Sequence, residues 1–140
     1  MIIVAGVDVS EHSQTVIKRA IEEAERRDAD LHVVHVVQYP VYFDFPIDLV
    51  AMAAAERHAV WERLSPLVEA AGIPVKKVDL DGYPADTLSD YATSVGADLI
   101  VLGTRGRGDL ASLFLGSTSH RVLQLAPCDI LVVRPLTTDS

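Results

Sequence analysis

Five short apolar runs alternate with stretches of helical periodicity, and this alternation restricts the possible folds more than any other feature of the sequence. Runs rich in β-branched residues are typical of strands that are covered on both faces. Strands that alternate with helices form parallel βαβ units with right-handed crossovers. The sequence therefore predicts an α/β fold with a doubly wound, five-stranded parallel sheet and helices on both faces. The predicted strands are residues 2–7, 31–37, 75–80, 98–102 and 130–133.

Length and composition favour one folded domain that spans residues 1–140. A chain of 140 residues is long enough to bury a substantial core. Its hydrophobic content of 49% and its mean hydropathy of +0.25 argue against intrinsic disorder. The chain shows neither an internal repeat nor a linker, so a second domain is not expected.

Charge and cysteine content restrict the partners and the compartment. The net charge of −8 disfavours nucleic acid and anionic membranes as partners, so any anionic ligand must be held by local donors. No apolar run approaches the roughly 18 residues of a membrane span. Residues 1–8 lack a basic segment and indicate a first strand rather than a signal peptide. A single cysteine, Cys128, excludes an internal disulfide and favours the reducing cytoplasm.

Two helix boundaries follow from local sequence. Ser10 is predicted to be the N-cap of the first helix, with Glu11 in its first turn. The second helical pattern covers residues 49–71 and contains Pro66. A proline inside a helix removes a backbone donor and clashes with the preceding turn, so we expect a kink or a restart with Ser65 as a new cap.

A glycine-rich stretch, residues 102–119, joins the fourth strand to the fourth helix. Glycines at a strand end allow the backbone to approach a ligand closely. The helix start beyond them offers unpaired N–H groups and the positive end of a dipole, which together suit phosphates. An ordinary loop with a glycine turn and a hydroxyl-rich cap is the alternative. The residues concerned are Gly103, Gly106, Gly108, Gly116, Ser117, Thr118 and Ser119.

The spacing of these glycines resembles the nucleotide-binding signature of the universal stress protein family, in its ATP-binding branch. The signature is Gly103, two residues, Gly106, nine residues, and then Gly116-Ser117. Residues 3–10 followed by Ser13, the pair His35-Val36, and residues 82–84 and 126–134 also resemble the family, so the resemblance covers nearly the whole chain. It implies strand order 3-2-1-4-5, an adenine nucleotide as ligand, and ATP with Mg²⁺ as the cofactors.

In that strand order the chain reverses direction between strands 1 and 4, and ligands of doubly wound sheets bind at such a point. The resemblance implies that Asp8 bonds the ribose hydroxyls, whereas capping of the following turn is its structural alternative. The backbone of Val36 would meet adenine, and Arg105 or Arg107 would face solvent or reach a phosphate. The predicted nucleotide site comprises Gly6, Val7, Asp8, Val36, Leu102, Gly103, Arg105, Gly106, Arg107, Gly116, Ser117, Thr118 and Ser119.

Other motifs do not support a metal site or a catalytic site. His32 and His35 are separated by an odd number of residues on a strand, so their rings face opposite sides and cannot share an ion. His35 is expected to be packed or water-linked. Ser117 and His120 lack the strained turn of a hydrolase nucleophile. No Walker lysine is present, and only one strand follows Gly106, too few for a dinucleotide-binding unit.

Three functions remain open at this point. The first is an ATP-binding stress-response or regulatory protein, the second a slow ATPase or nucleotidyl-transfer enzyme, and the third a nucleotide-free interaction module. The resemblance also implies a homodimer joined through the fifth strand, between Asp129 and Arg134. That strand is short, apolar and last in the chain, so no later helix covers it. Lys76 and Lys77 interrupt the third strand and indicate the opposite sheet edge.

Overall fold

Five parallel strands form one sheet, in the order β3-β2-β1-β4-β5 that the resemblance implied. The computed structural model describes residues 1–39, 48–104 and 115–135. The chain reverses direction at β1, which pairs with β2 on one side and with β4 on the other. The elements are β1 (Ile2–Val7), α1 (His12–Arg27), β2 (Asp30–Val37), α2 (Leu49–Glu69), β3 (Val75–Asp81), α3 (Pro84–Val95), β4 (Leu99–Gly103), α4 (Ser117–Leu125) and β5 (Asp129–Val133).

Two apolar cores lie on the two faces of the sheet, which confirms the predicted doubly wound α/β class. On one face α1 and α2 cover the strands, with Ile17 and Leu64 fully buried among residues of β1, β2 and β4. On the other face α3 and α4 supply Leu88 and Val122. Strand side chains alternate between the two cores because successive residues of a strand point to opposite faces. None of the described helices is long and apolar enough to cross a membrane.

The two histidines of β2 face opposite cores, as their odd separation predicts. The Nδ1 atom of His32 lies 2.8 Å from the hydroxyl of Tyr91 on α3. His35 is fully buried on the α2 face, where its ring nitrogens lie 2.9 Å from Glu56 Oε2 and 3.1 Å from Asp79 Oδ1. The expectation of a packed His35 is confirmed, and its partners are two carboxylates.

Stability is expected to fall in mild acid because of His32. Burial lowers the pKa of the His32 imidazole below 6.5, Lys76 lowers it further, and Asp30 offsets part of the effect. The unfolded chain therefore takes up the proton first, and stability that is present above pH 6.5 is lost as the pH falls through the folded pKa. Denaturant titrations of the protein and of His32→Gln at about pH 7.5 and 5.5 measure this, with exposed His58→Gln as the control. An equal decrease in all three proteins would contradict it.

Two predicted helix boundaries are wrong. The N-cap position of α1 is occupied by Glu11 rather than Ser10, and no side chain caps that end. Ser10 donates its hydroxyl to Asp8 Oδ1 at 2.5 Å, so the preceding strand end holds the side chain that was expected to cap the helix.

The second correction concerns Pro66, where the predicted alternative of a helix restart is wrong because α2 continues through the proline. The proline comes in the last turn, and the buried side chains of Leu64 and Val68 on either side of it keep the helix on the sheet. Ser65 does not cap a new helix. Its hydroxyl accepts a hydrogen bond from Lys77 Nζ at 2.9 Å.

The sheet edges agree with the sequence. β3 lies at one edge, where Lys76 and Lys77 are exposed, and β5 lies at the other. Charged side chains on an exposed edge discourage pairing with another chain, whereas an apolar edge does not. The two edges therefore differ in their capacity for association.

Candidate functional site

A cleft of about 500 Å³ opens at the carboxyl ends of β1 and β4, where the chain reverses direction. Ligands of open α/β sheets bind at this position because loops from neighbouring strands diverge there and leave a crevice. The cleft is bordered by the ends of β1, β2 and β4 and by the N-terminal residues of α1, α3 and α4. The location of the cleft follows from the strand order alone and does not depend on any sequence motif.

Most of the residues predicted for the nucleotide site line this cleft. Those brought together are Gly6, Val7, Asp8, Val36, Leu102, Gly103, Ser117, Thr118 and Ser119. Gly116 does not line it; its backbone N–H donates to the Thr104 carbonyl at 2.6 Å and its carbonyl begins α4. Three further predicted residues, Arg105, Gly106 and Arg107, lie outside the described residues.

Asp8 is the organising side chain of the β1 end. Its Oδ1 atom accepts hydrogen bonds from the Ser10 backbone N–H at 2.9 Å, from the Ser10 hydroxyl at 2.5 Å and from the Ser13 hydroxyl at 3.1 Å. Ser13 is buried, and its oxygen in turn accepts from the Asp8 N–H at 2.8 Å. The structural role that the sequence offered for Asp8, holding the turn, is therefore present. These bonds also fix the carboxylate at the cleft wall.

The start of α4 forms the opposite wall. Ser117, Thr118 and Ser119 are its first residues, so their backbone N–H groups have no acceptors within the helix. The hydroxyl of the buried Ser119 donates to the Gly103 carbonyl at 2.5 Å and joins the helix to the end of β4. Ser117 and Thr118 are left to face the cleft, where the N–H groups and the helix dipole favour an anion.

Gly6 contributes by lacking a side chain. A Cβ atom at this position would lie 2.7 Å from Leu102 Cδ2 and 2.8 Å from Leu88 Cδ2. Both leucines are buried and line the cleft, so the bare backbone of Gly6 lets them close its apolar floor. Leu102, which was predicted to form an apolar wall, therefore forms this surface together with Leu88.

At the β2 end of the cleft, the predicted Val36 lies beside four lining residues that were not predicted from the sequence. Val34 and Val36 supply apolar surface there, Gln38 and Tyr39 follow the strand, and Glu56 comes from α2. His35 binds Glu56 Oε2, and the Trp61 indole donates to both oxygens of Asp79, which holds the other side of the imidazole. The buried His35 therefore links the carboxylate of Glu56 at this end of the cleft to a partly exposed polar network.

His12 is a further lining residue that was not predicted from the sequence. It is the first residue of α1, and its Nε2 atom lies 2.9 Å from the Val133 carbonyl of β5. One sequence signal could have indicated His12: it follows Asp8 by four residues, so it lies close to the carboxyl end of β1, where the cleft opens. Its contact with β5 is a tertiary contact that no local pattern encodes.

The cleft combines three kinds of surface that suit a nucleotide. The start of α4 suits anionic groups, the carboxylate of Asp8 suits hydroxyl donors, and the leucines and valines suit a flat apolar ring. Within residues 1–39, 48–104 and 115–135, no three metal-binding side chains cluster.

Comparisons with known proteins identify the family and the fold. The model of the universal stress protein family matches residues 1–134. A universal stress protein of Thermus aquaticus is 37% identical over 134 residues, covering 94% of this chain and 97% of the relative. The structure of UspA from Lactobacillus plantarum superposes with a TM-score of 0.81 at 30% identity, covering 96% and 97% of the two chains. A universal stress protein solved in complex with cAMP gives a TM-score of 0.73 at 27% identity, covering 96% of each chain.

Proposed function

Because the chain belongs to the universal stress protein family, we propose that it is a cytoplasmic, homodimeric regulatory protein that binds ATP in the cleft between β1 and β4. The relative solved with cAMP supports an adenine nucleotide as the ligand class. The observation that carries the proposal is the pairing of Asp8 with the start of α4 across the point where the chain reverses. One wall suits ribose hydroxyls and the other suits phosphates.

The proposed orientation follows from the chemistry of the walls. The phosphates lie at Ser117 and Thr118, where N–H groups and the helix dipole compensate their charge. The ribose lies near Asp8, and the base lies at Val36, between the apolar floor and the β2 end. Mg²⁺ binds with the nucleotide and takes most of its ligands from phosphate oxygens and water, as this cation commonly does.

Regulation by binding is a better match to the described chemistry than rapid turnover. The carboxylate of Asp8 is held by Ser10 and Ser13, which suits a fixed acceptor. Phosphoryl transfer needs the attacking water to be positioned in line with the phosphate. The two walls of the cleft support nucleotide binding. Binding, unlike hydrolysis, does not require a side chain that positions the attacking water.

Calorimetry with ATP, ADP, AMP and GTP, each with Mg²⁺, tests the proposal. We expect the adenine nucleotides to bind with Kd below about 1 mM, which corresponds to about 4 kcal/mol of binding free energy. ATP should bind more tightly than AMP because more phosphate charge meets the start of α4. No binding of any adenine nucleotide at millimolar concentration would contradict the proposed function.

The proposed homodimer forms through β5, at the apolar edge of the sheet. Thr104 N–H donates to the Val133 carbonyl at 3.0 Å, so the peptide groups of Val133 face β4. Because these groups alternate in direction along a strand, those of Ile130 and Val132 face away from β4. Pairing with β5 of a second copy about a two-fold axis would satisfy them. Leu123 and Leu125 of α4, the helix that precedes β5 in the chain, are exposed apolar side chains.

A further inference from the structure

The tautomer of His12 is determined by its partner. The Nε2 atom lies 2.9 Å from the Val133 carbonyl oxygen, which accepts hydrogen bonds and cannot donate them. Nε2 must therefore carry a proton and donate it. In the neutral imidazole the other nitrogen, Nδ1, is then an unprotonated acceptor.

No donor from the described residues reaches this Nδ1 atom. It is buried and has no hydrogen-bond partner in the described part of the chain. Buried polar atoms are nearly always paired with protein, ordered water or ligand, and the position of this one in the cleft favours a group that arrives with the ligand. The residue lines the cleft, which places the imidazole beside that ligand.

The donors of the neighbouring turn are already engaged. The hydroxyls of Ser10 and Ser13 both donate to Asp8 Oδ1, and each hydroxyl carries a single proton. A phosphate oxygen is also an acceptor and does not match a neutral Nδ1. Mg²⁺ prefers oxygen ligands, so a direct metal bond is disfavoured as well. The matching group is a hydroxyl or an amino group of the ligand.

The position of His12 in the fold distinguishes between a ribose hydroxyl and an amino group of the base as the donor. His12 contacts β5, whereas the proposed base position at Val36 belongs to β2. Strands β2 and β5 are three steps apart in the sheet, or about 14 Å at the usual strand spacing. An amino group on a base at β2 is therefore too distant, and the ribose lies between them.

We propose that His12 Nδ1 accepts a hydrogen bond from a ribose hydroxyl of the bound nucleotide, and that His12 thereby selects ribonucleotides. The inference rests on the proposed nucleotide-binding function. Asp8 then binds the sugar from the β1 end, while His12 binds it from the side of β5. The Val133 carbonyl acts as the positioning group, because it holds the imidazole in the tautomer that accepts.

Two substitutions of His12 distinguish the contribution of Nδ1 from that of Nε2. In His12→Gln the amide reaches the Nε2 position and can still donate to Val133, but nothing accepts at the Nδ1 position. In His12→Asn the shorter amide places its oxygen near the Nδ1 position and retains the acceptor. We expect His12→Gln to weaken ATP binding by about tenfold, the usual effect of one lost hydrogen bond, and His12→Asn to weaken it less.

A cycle with deoxynucleotides measures the contact itself. ATP, 2′-deoxy-ATP and 3′-deoxy-ATP are titrated against the unsubstituted protein and His12→Gln, with and without Mg²⁺. For one of the two deoxy analogues, His12→Gln should cause no further loss, because the hydroxyl is already absent. An equal loss for all three nucleotides, or no loss for ATP, would overturn the assignment of His12. A loss confined to samples with Mg²⁺ would also overturn it, in favour of a metal-bound water.

Two controls keep the test decisive. Failure of the unsubstituted protein to bind any nucleotide would overturn the proposed function and this inference with it, whereas normal binding with an unaffected variant overturns only this inference. If the variants do not fold by circular dichroism, nitrogen-15 spectra of the unsubstituted protein's His12 give the answer. Nδ1 should be unprotonated before ATP is added and should shift on binding; a protonated or unresponsive Nδ1 contradicts the proposal.

Discussion

Replacing Ser117 with Asp is expected to weaken ATP binding by at least about tenfold while the fold becomes slightly more stable. Ser117 is exposed, begins α4 and lines the cleft. A carboxylate there lies beside the proposed phosphates, and two like charges about 5 Å apart repel by roughly 1–3 kcal/mol near a protein surface. The same carboxylate stabilises the start of a helix by about 0.3–1 kcal/mol. Binding and stability should therefore change in opposite directions.

Calorimetry and thermal denaturation of the same samples check this expectation. Ser117→Asn has nearly the same shape without the charge, so it should retain most of the affinity. AMP, with fewer negative charges, should lose less affinity than ATP on Ser117→Asp. An equal loss of ATP and AMP affinity, or a similar loss in the Asn variant, would contradict a phosphate position at the start of α4. Unchanged ATP affinity would remove Ser117 from the site.

The fold was predictable because its signals are local. The five apolar runs and the helical patterns between them give the alternation of a parallel sheet, and every predicted strand appears within one residue of its observed ends. The strand order was not derivable from those patterns, since the alternation alone does not say which strands pair. It came from the resemblance. The N-cap of α1 was missed because Ser10 has two acceptable structural positions, and the choice depends on Asp8.

The predicted site residues lie at strand ends and at the start of α4, whereas Glu56 of α2 and His12 of α1 were missed. Asp8 and Gly103 lie at strand ends, and the topology brings strand ends together. Glu56 reaches the cleft because α2 packs over β2 and because buried His35 holds its carboxylate. Neither condition is visible in the residues around Glu56. The role of Gly6 likewise depends on two leucines that are distant in sequence.

The net charge of the chain does not prevent anion binding, because the relevant field is local. The excess of acidic residues gives a charge of −8, which disfavours an anion at long range. At physiological ionic strength such charges are screened beyond about 8 Å. The N–H groups at the start of α4 act within hydrogen-bond distance. We therefore expect selectivity for ligands that reach this wall, and weak attraction for anions elsewhere.

Replacing Val132 with Pro is expected to convert the proposed dimer into a monomer. The backbone N–H of Val132 faces away from β4, so proline there removes a donor that pairing with a second copy would use. A two-fold interface repeats each contact, so one substitution removes two hydrogen bonds and places two rings at the junction. The β4–β5 ladder keeps its bonds, and the domain should remain folded. Light scattering after size exclusion at tens of micromolar measures the mass.

Neighbouring positions on β5 provide the controls that make this result specific. Leu131→Pro removes a donor that faces β4, so it should destabilise the domain itself and lower its melting temperature. Val132→Thr keeps the N–H group and the branched shape, and it should remain dimeric. If the unsubstituted protein is a monomer at these concentrations, or if Val132→Pro remains fully dimeric, then β5 is not the interface. A folded Val132→Pro monomer that still binds ATP would show that the cleft is complete within one chain.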